Sequence, residues 1–216
     1  VERSRGLGDV YKRQIMDGIA RYIREEYDFD RRRSIIESDS ACSDDVWRQF
    51  SELGWLSIPF DESYGGFGGH ADDLAGVMLE LGKGLIIEPY MSTVVVFGSL
   101  LNASNNDSLK EQLIPRIING QYKGSFAYAE EQSRFEISDV KTSAQKCGDG
   151  YKLNGTKIAV IDAKESDGLI VTARTGGSQY GAEGISLFLV DTSAEGVAVS
   201  SYNTMDSHSS LSLIHI

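Results

Sequence analysis

Cysteine, histidine and basic residues are all scarce in this chain of 216 residues. Cys42 and Cys147 stand too far apart for metal-ligand spacing and are too few for a disulfide framework, so neither a zinc site nor a disulfide scaffold is expected. Three histidines, His70, His208 and His215, are scattered and form no ligating or catalytic cluster. Lysine and arginine total 21 against 32 acidic residues, a formal charge of −11, so no basic face is left to neutralise phosphates and a nucleic-acid partner is not expected. No apolar run approaches the roughly 18 residues of a membrane span. What is there, 41% hydrophobic and 25% charged residues, is the composition of a folded globular protein. Few cysteines and no secretory signal fit a reducing cytoplasm.

The two ends differ from the rest. Residues 1–14 (VERSRGLGDVYKRQ) lack helical or strand periodicity, and residues 209–216 stop in an apolar run. Both resemble translated sequencing-adapter DNA. They are therefore expected to be non-native segments that pack against nothing, and the chain to be the front piece of a longer protein.

Between the ends, the hydrophobic period divides the chain. Ile15, Ile19, Tyr22 and Ile23 recur at three- and four-residue steps, one face of an amphipathic helix. Ser43 before Asp44 and Asp45 reads as an N-cap, Trp47, Phe50 and Leu53 line one face, and Gly54 suits the C-terminal cap. Leu74, Val77, Met78 and Leu81 repeat the pattern up to Gly82 and Gly84. Met91, Val94, Val95 and Leu101 predict a helix buried on most sides. Asp107 or Ser108 caps a last helix carried by Leu109, Leu113, Ile114 and Ile117 and stopped at Gly120.

Beyond Gly120 the period becomes two. Phe126 and Tyr128 alternate with small residues, as do Val140, Thr142 and Ala144 with polar ones. Asp149-Gly150 and Asn154-Gly155 read as hairpin turns. Apolar strands follow at Ile158–Ile161, Leu169–Ala173 and Ile185–Val190, the last two separated by a Gly-rich loop. The pattern predicts an α+β chain: a helical domain over 15–122 and an antiparallel barrel or sandwich over 123–208, incomplete at its end.

The residues alone say little about chemistry. Ser63-Tyr64-Gly65-Gly66-Phe67-Gly68-Gly69 has neither the preceding strand nor the Lys-Ser/Thr of a phosphate-cradling loop, and reads as a flexible link between helices. Glu130 and Glu131 are adjacent and, on a strand, face opposite sides, so they do not form an acid/base pair.

Read in order, the motifs are more informative. Val46-Trp47 with Leu53-Gly54-Trp55-Leu56, then Tyr64-Gly65-Gly66, Leu79–Gly84 with Glu88-Pro89, and Leu113-Ile114-Pro115 resemble the N-terminal helical domain of the acyl-CoA dehydrogenase family. Phe126-Ala127-Tyr128-Ala129-Glu130 falls where that family's middle domain begins with a T-E-P motif, and Asn154-Gly155-Thr156-Lys157 is similar to its N-G-x-K turn. The resemblance spans about residues 15–208. It implies FAD against the middle domain, an acyl-CoA thioester as substrate, an electron-transfer flavoprotein or similar acceptor, and a homo- or hetero-oligomer. It implies dehydrogenation of the α,β bond to a trans-2-enoyl-CoA, with the catalytic base in a C-terminal domain that this chain does not contain. It places Phe126, Tyr128, Ala129, Ser138, Ala159 and Ile161 at the cofactor, and Glu130, Ser133 and Arg134 at the substrate.

The departures from the family are equally specific. Ala129 stands where the family has a hydroxyl that bonds the flavin edge, Ala159 where it has a tryptophan, Ile161 where it has a threonine, and Glu131 where it has the proline. The stretch 131–139 is longer than the usual G-x-G-S-D. These features resemble the branch typified by the small subunit of pimeloyl-CoA dehydrogenase. They leave open a non-catalytic scaffold subunit with a degraded flavin site, and beyond the family an unrelated helical-plus-barrel binding protein.

Overall fold

Each predicted helical stripe forms a helix. The computed structural model describes residues 2–38, 40–208 and 210–216, with side chains from residue 12 onward, and the chain divides into two compact units after Gln121. The first unit holds α1 (Glu2–Glu26), α2 (Phe29–Ile36), α3 (Asp44–Glu52), α4 (Ala71–Lys83), a π-helical turn (Met91–Phe97) running into α5 (Gly98–Ala103), and α6 (Asp107–Ile118). Ile19 and Tyr22 of α1 are buried, and α1 packs along α4, where Gly76 leaves room for Met16 and Gly84 for Ile23. Val46, Trp47 and Phe50 of α3 are buried, and Gly54 ends the helix at φ 75°. Leu53, expected on the same face, is exposed: it occupies the C-cap, one residue past the helix.

Three expectations for this unit need correction. Asn106, not Asp107 or Ser108, caps α6: its side chain accepts from Leu109 N at 3.1 Å. Met91 is exposed, because the buried face of its segment runs through Ser92, Thr93, Val94 and Phe97 in π rather than α periodicity. The run at 63–69 is a hydrogen-bonded loop, not a flexible link. Phe67, Gly68 and Gly69 donate to the carbonyls of Ser57, Phe60 and Ile58 at 3.1, 2.8 and 2.8 Å. Gly66 lies so close to the Phe60 carbonyl that no Cβ fits there, which is why glycine stands at that point.

The second unit is built from strands β1 (Gly124–Ala127), β2 (Ser143–Cys147), β3 (Gly150–Asn154), β4 (Thr156–Ile161), β5 (Gly168–Arg174), β6 (Ile185–Asp191), β7 (Ala198–Tyr202) and β8 (Leu211–His215). One sheet has the order β1-β5-β2-β3, with β6 on the other edge of β5; the second has the order β4-β8-β7. Most pairs are antiparallel, as the pattern predicts, but β5 runs parallel to β1, from Gly124↔Gly168 to Ala127↔Val171, and to β2 at Ser143↔Arg174. The 40 or so residues between β1 and β5 are long enough for such a crossover. Leu169 and Val171 of β5, Ala127, Val160, Ala163 and Ile214 make one core from both sheets.

The two turn readings fare differently. β2 and β3 do form a hairpin, closed by Gly148-Asp149 with Gly148 at φ 60°, one residue before the expected position. Asn154-Gly155 is not a hairpin turn. It is where the chain leaves the first sheet for the second, and Gly155 exchanges backbone hydrogen bonds with Ile216 at 3.1 and 3.0 Å.

Neither end of the chain lacks regular structure. Val1 and Ser209 lie outside the described residues, but residues 2–14 continue α1, and Lys12 Nζ reaches Asp73 Oδ1 at 2.9 Å and Asp72 Oδ2 at 3.0 Å. Leu211–His215 lie as β8 between β4 and β7, with Ile214 fully buried. Extending an existing helix or sheet needs only backbone bonds, not the amphipathic stripe whose absence suggested unpatterned ends. Among the described residues no helix is long and apolar enough to cross a membrane.

Candidate functional site

The segment after β1 and the strand β4 meet. Ile158 N donates to Ala129 O at 2.9 Å, bringing together two stretches almost thirty residues apart. Phe126 and Tyr128, two residues apart on one face, stack their rings at 5.1 Å and 23°, and Tyr128 remains 48% exposed. In β4, Lys157 pairs with Ile214 and Val160 with Ser212, so Ile158 and Ala159 together face one residue. This bulge is carried by Ala159 in a left-handed conformation, φ 51°. As a result Lys157 and Val160 both point inward, while Ala159 and Ile161 are exposed.

Under this surface lies a buried ion pair. Lys157 is 0% and Glu130 3% exposed, and Lys157 Nζ donates to Glu130 Oε1 at 2.7 Å. The ammonium also donates to Thr172 Oγ1 at 2.8 Å and to Tyr128 O at 3.3 Å. Thr142 N donates to Glu130 Oε1 at 3.0 Å, and Lys141 N and Gln132 Nε2 to Oε2, both at 2.8 Å. Burial alone would raise the Glu130 carboxyl, but the bonds from Lys157, Gln132 and Thr142 outweigh it and hold it down at about 2. Burial pulls the Lys157 ammonium below the usual lysine range despite the adjacent carboxylate.

The stretch 131–139 projects beside this pair as a string of turns. Ser133 is buried, its hydroxyl donating to Glu130 O at 2.9 Å and accepting from Glu130 N at 3.1 Å. Arg134 is exposed at φ 49°, and Phe135 is 100% exposed. Ser138 Oγ donates to Glu136 Oε1 at 2.7 Å. The base of the stretch is tied to β5 by Arg174, whose guanidinium donates to the carbonyls of Ser138, Val140, Gln179, Gly181 and Glu183 at 2.8 to 3.1 Å.

The arrangement thus brings Phe126, Tyr128, Ala129, Ala159 and Ile161 to adjoining strands. Ser138 stands near the end of 131–139, its carbonyl accepting from Arg174. Glu130 and Ser133, assigned to the substrate by resemblance, are buried and their side chains bond inside the protein. Arg134 alone of that set is exposed. Sequence reading gave no role to Thr172 or Arg174, and named Lys157 only as part of the N-G-x-K run. Lys157 carried a signal, since a lysine that opens an apolar strand is buried only when paired.

Residues 11–121 match the family model for the acyl-CoA dehydrogenase N-terminal domain, and residues 125–216 the one for its middle domain. The chain belongs to the acyl-CoA dehydrogenase family. Among curated relatives, the mitochondrial long-chain specific acyl-CoA dehydrogenase of Sus scrofa is 30% identical over 163 residues, 74% of this chain and 38% of the relative. The mitochondrial isovaleryl-CoA dehydrogenase of Pongo abelii is 28% identical over 193 residues, 88% of this chain and 45% of the relative. The chain therefore spans less than half the length of these relatives. Among solved structures, an FAD complex of PigA superposes with a TM-score of 0.84 at 23% identity, covering 95% of this chain and 55% of that one. The ChsE4-ChsE5 complex from Mycobacterium tuberculosis gives 0.83 at 22% identity, covering 95% and 53%. At these identities the structural likeness shows the fold alone.

Acyl-CoA dehydrogenases as a family bind FAD, so the surface can be tested for fit. A half-exposed stacked aromatic pair, an outward methyl at Ala159 and the outward Ile161 give apolar surface at a strand junction, which suits a planar ring system. No side-chain hydroxyl stands at 129 or 161, so polar contacts from these positions fall to the main chain.

Proposed function

We propose that this chain supplies the cofactor and substrate walls of an FAD-dependent acyl-CoA dehydrogenase, an oxidoreductase of the cytoplasm that converts an acyl-CoA to the trans-2-enoyl-CoA. The observation that carries the reading is the hydrogen bond from Ile158 to Ala129, which sets the Phe126–Tyr128 rings beside β4 in a chain of this family. FAD, when bound, accepts the electrons removed from the substrate's β-carbon. This chain's residues orient the ring and exclude water at Phe126, Tyr128, Ala159 and Ile161, and Arg134 offers a cation to the CoA ester. The α-proton would be removed by a carboxylate outside this chain, and an electron-transfer flavoprotein or similar protein would be the electron acceptor. Assembly is as a homo- or hetero-oligomer.

A second reading is favoured by one specific observation: positions 129, 159 and 161 hold neither hydroxyl nor aromatic ring. On that reading the chain is a scaffold subunit of a heteromeric dehydrogenase. Titration of purified chain with FAD, followed by flavin absorbance and fluorescence, separates the two. Saturable uptake supports the first reading. A colourless protein that becomes yellow only with a sister subunit supports the second.

A further inference from the structure

Lys157 has a use beyond charge balance. A buried ion pair is seldom better for stability than an apolar pair of the same volume, because desolvation offsets most of the attraction. What an ammonium supplies that an apolar side chain does not is three directed donors. Two of them go to the same short stretch, one to Tyr128 O and one to the Glu130 carboxylate, on either side of Ala129. The third goes to Thr172 Oγ1 on β5, which anchors the ammonium to the centre of the sheet. The neighbouring residue, Ile158, donates to Ala129 O. Glu130 in turn accepts from Lys141 and Thr142 at the entry to β2. The main chain of 128–130 is therefore fixed from β4, β5 and β2 at once.

We infer that Lys157 is a positioning residue for the flavin: it fixes the main chain of Tyr128–Glu130 so that the Ala129 peptide meets the ring edge in place of the hydroxyl this chain lacks. The inference rests on the FAD reading above. With alanine at 129, any polar contact from this position comes from the backbone, and its strength depends on where the backbone is held.

The test uses the full chain, titrated with FAD, together with amide hydrogen exchange at residues 128–131 in the absence of FAD. Lys157→Met alone leaves the Glu130 carboxylate buried without its cation, so the decisive variant pairs it with Glu130→Gln. The double variant is expected to melt close to wild type. Its 128–131 amides should exchange faster, and its FAD affinity should be weaker by about tenfold, the worth of one well-aligned hydrogen bond. Thr172→Val, which keeps the side-chain shape and frees the ammonium from β5, should show the same exchange and a smaller loss of affinity. It serves if the double variant fails to fold. Wild-type affinity in either folded variant overturns the positioning role. A wild-type chain that takes up no FAD, alone or with a sister subunit, instead overturns the FAD reading and this inference with it.

Discussion

Gly155 faces Thr142 so closely that a Cβ on the glycine would stand 2.7 Å from the threonine Cβ and 2.8 Å from its Cα. The contact locks the point where the chain passes from one sheet to the other. Gly155→Ala is therefore expected to destabilise the β unit by about 1–3 kcal/mol through overpacking. Thermal melting followed by circular dichroism should show a midpoint several degrees lower. Adding Thr142→Ala should recover only part of this, because the backbone at 142 still crowds the new methyl.

Acid should weaken the β unit through Glu130. Its carboxyl is held at about 2, below its value in the unfolded chain, so its contribution is complete above the unfolded value of roughly 4.3 and fades as pH falls towards 2. Urea midpoints measured from pH 5 down to pH 2 should drop for wild type. The variant carrying Glu130→Gln and Lys157→Met should lose this component of the slope.

In the helical unit Glu88 has the opposite sign. It is buried, Ser43 N reaches its Oε1 only at 3.4 Å, and its Oε2 has no hydrogen-bond partner among the described residues. Burial raises its carboxyl beyond what Tyr27 and the Ser43 and Ile87 amides restore. A raised folded value stabilises at low pH and loses that contribution as pH climbs from roughly 4.3 through the folded value. Glu88→Gln should melt higher than wild type at pH 7, and the advantage should shrink as the pH is lowered to 4. An equal difference at both pH values would show that the carboxylate is not the source.

Much of this was open to reading from local pattern. Trp47 and Phe50 recur at helical spacing, Gly54 follows where a left-handed cap is needed, and the largely apolar run at Leu169–Ala173 announced a strand. The features that went unread depend on distant partners. Asn154-Gly155 has the same letters whether it closes a hairpin or crosses between sheets, and what decides is Thr142 and Ile216. Parallel pairing of β1 with β5 leaves no mark on a strand of four residues. Nothing around Glu130 in the sequence shows that it is buried until Lys157, twenty-seven residues on, is placed against it. The Phe126–Ile161 neighbourhood followed from family resemblance, and the bulge at Ala159 followed from neither resemblance nor pattern.

If FAD lies on this surface, hydroxyls restored at 129 and 161 should strengthen it. Ala129→Thr with Ile161→Thr is expected to add two hydrogen bonds of about 1 kcal/mol each, roughly a thirtyfold tightening. Fluorescence titration of both proteins measures the ratio directly. Unchanged or weaker binding in the variant would show that the ring is held in another way here.

The bulge in β4 carries a last implication. A strand alternates its side chains strictly, so the direction of every residue beyond position 159 depends on whether the count up to it is odd or even. The surplus residue at Ile158-Ala159 resets that count. Were all these residues paired one to one, strict alternation from Lys157 would turn Ile161 into the core and Val160 out to solvent without altering a letter of the sequence. The outward shelf is thus a matter of parity: Ile161 faces out only while two residues of β4 stand opposite one of β8.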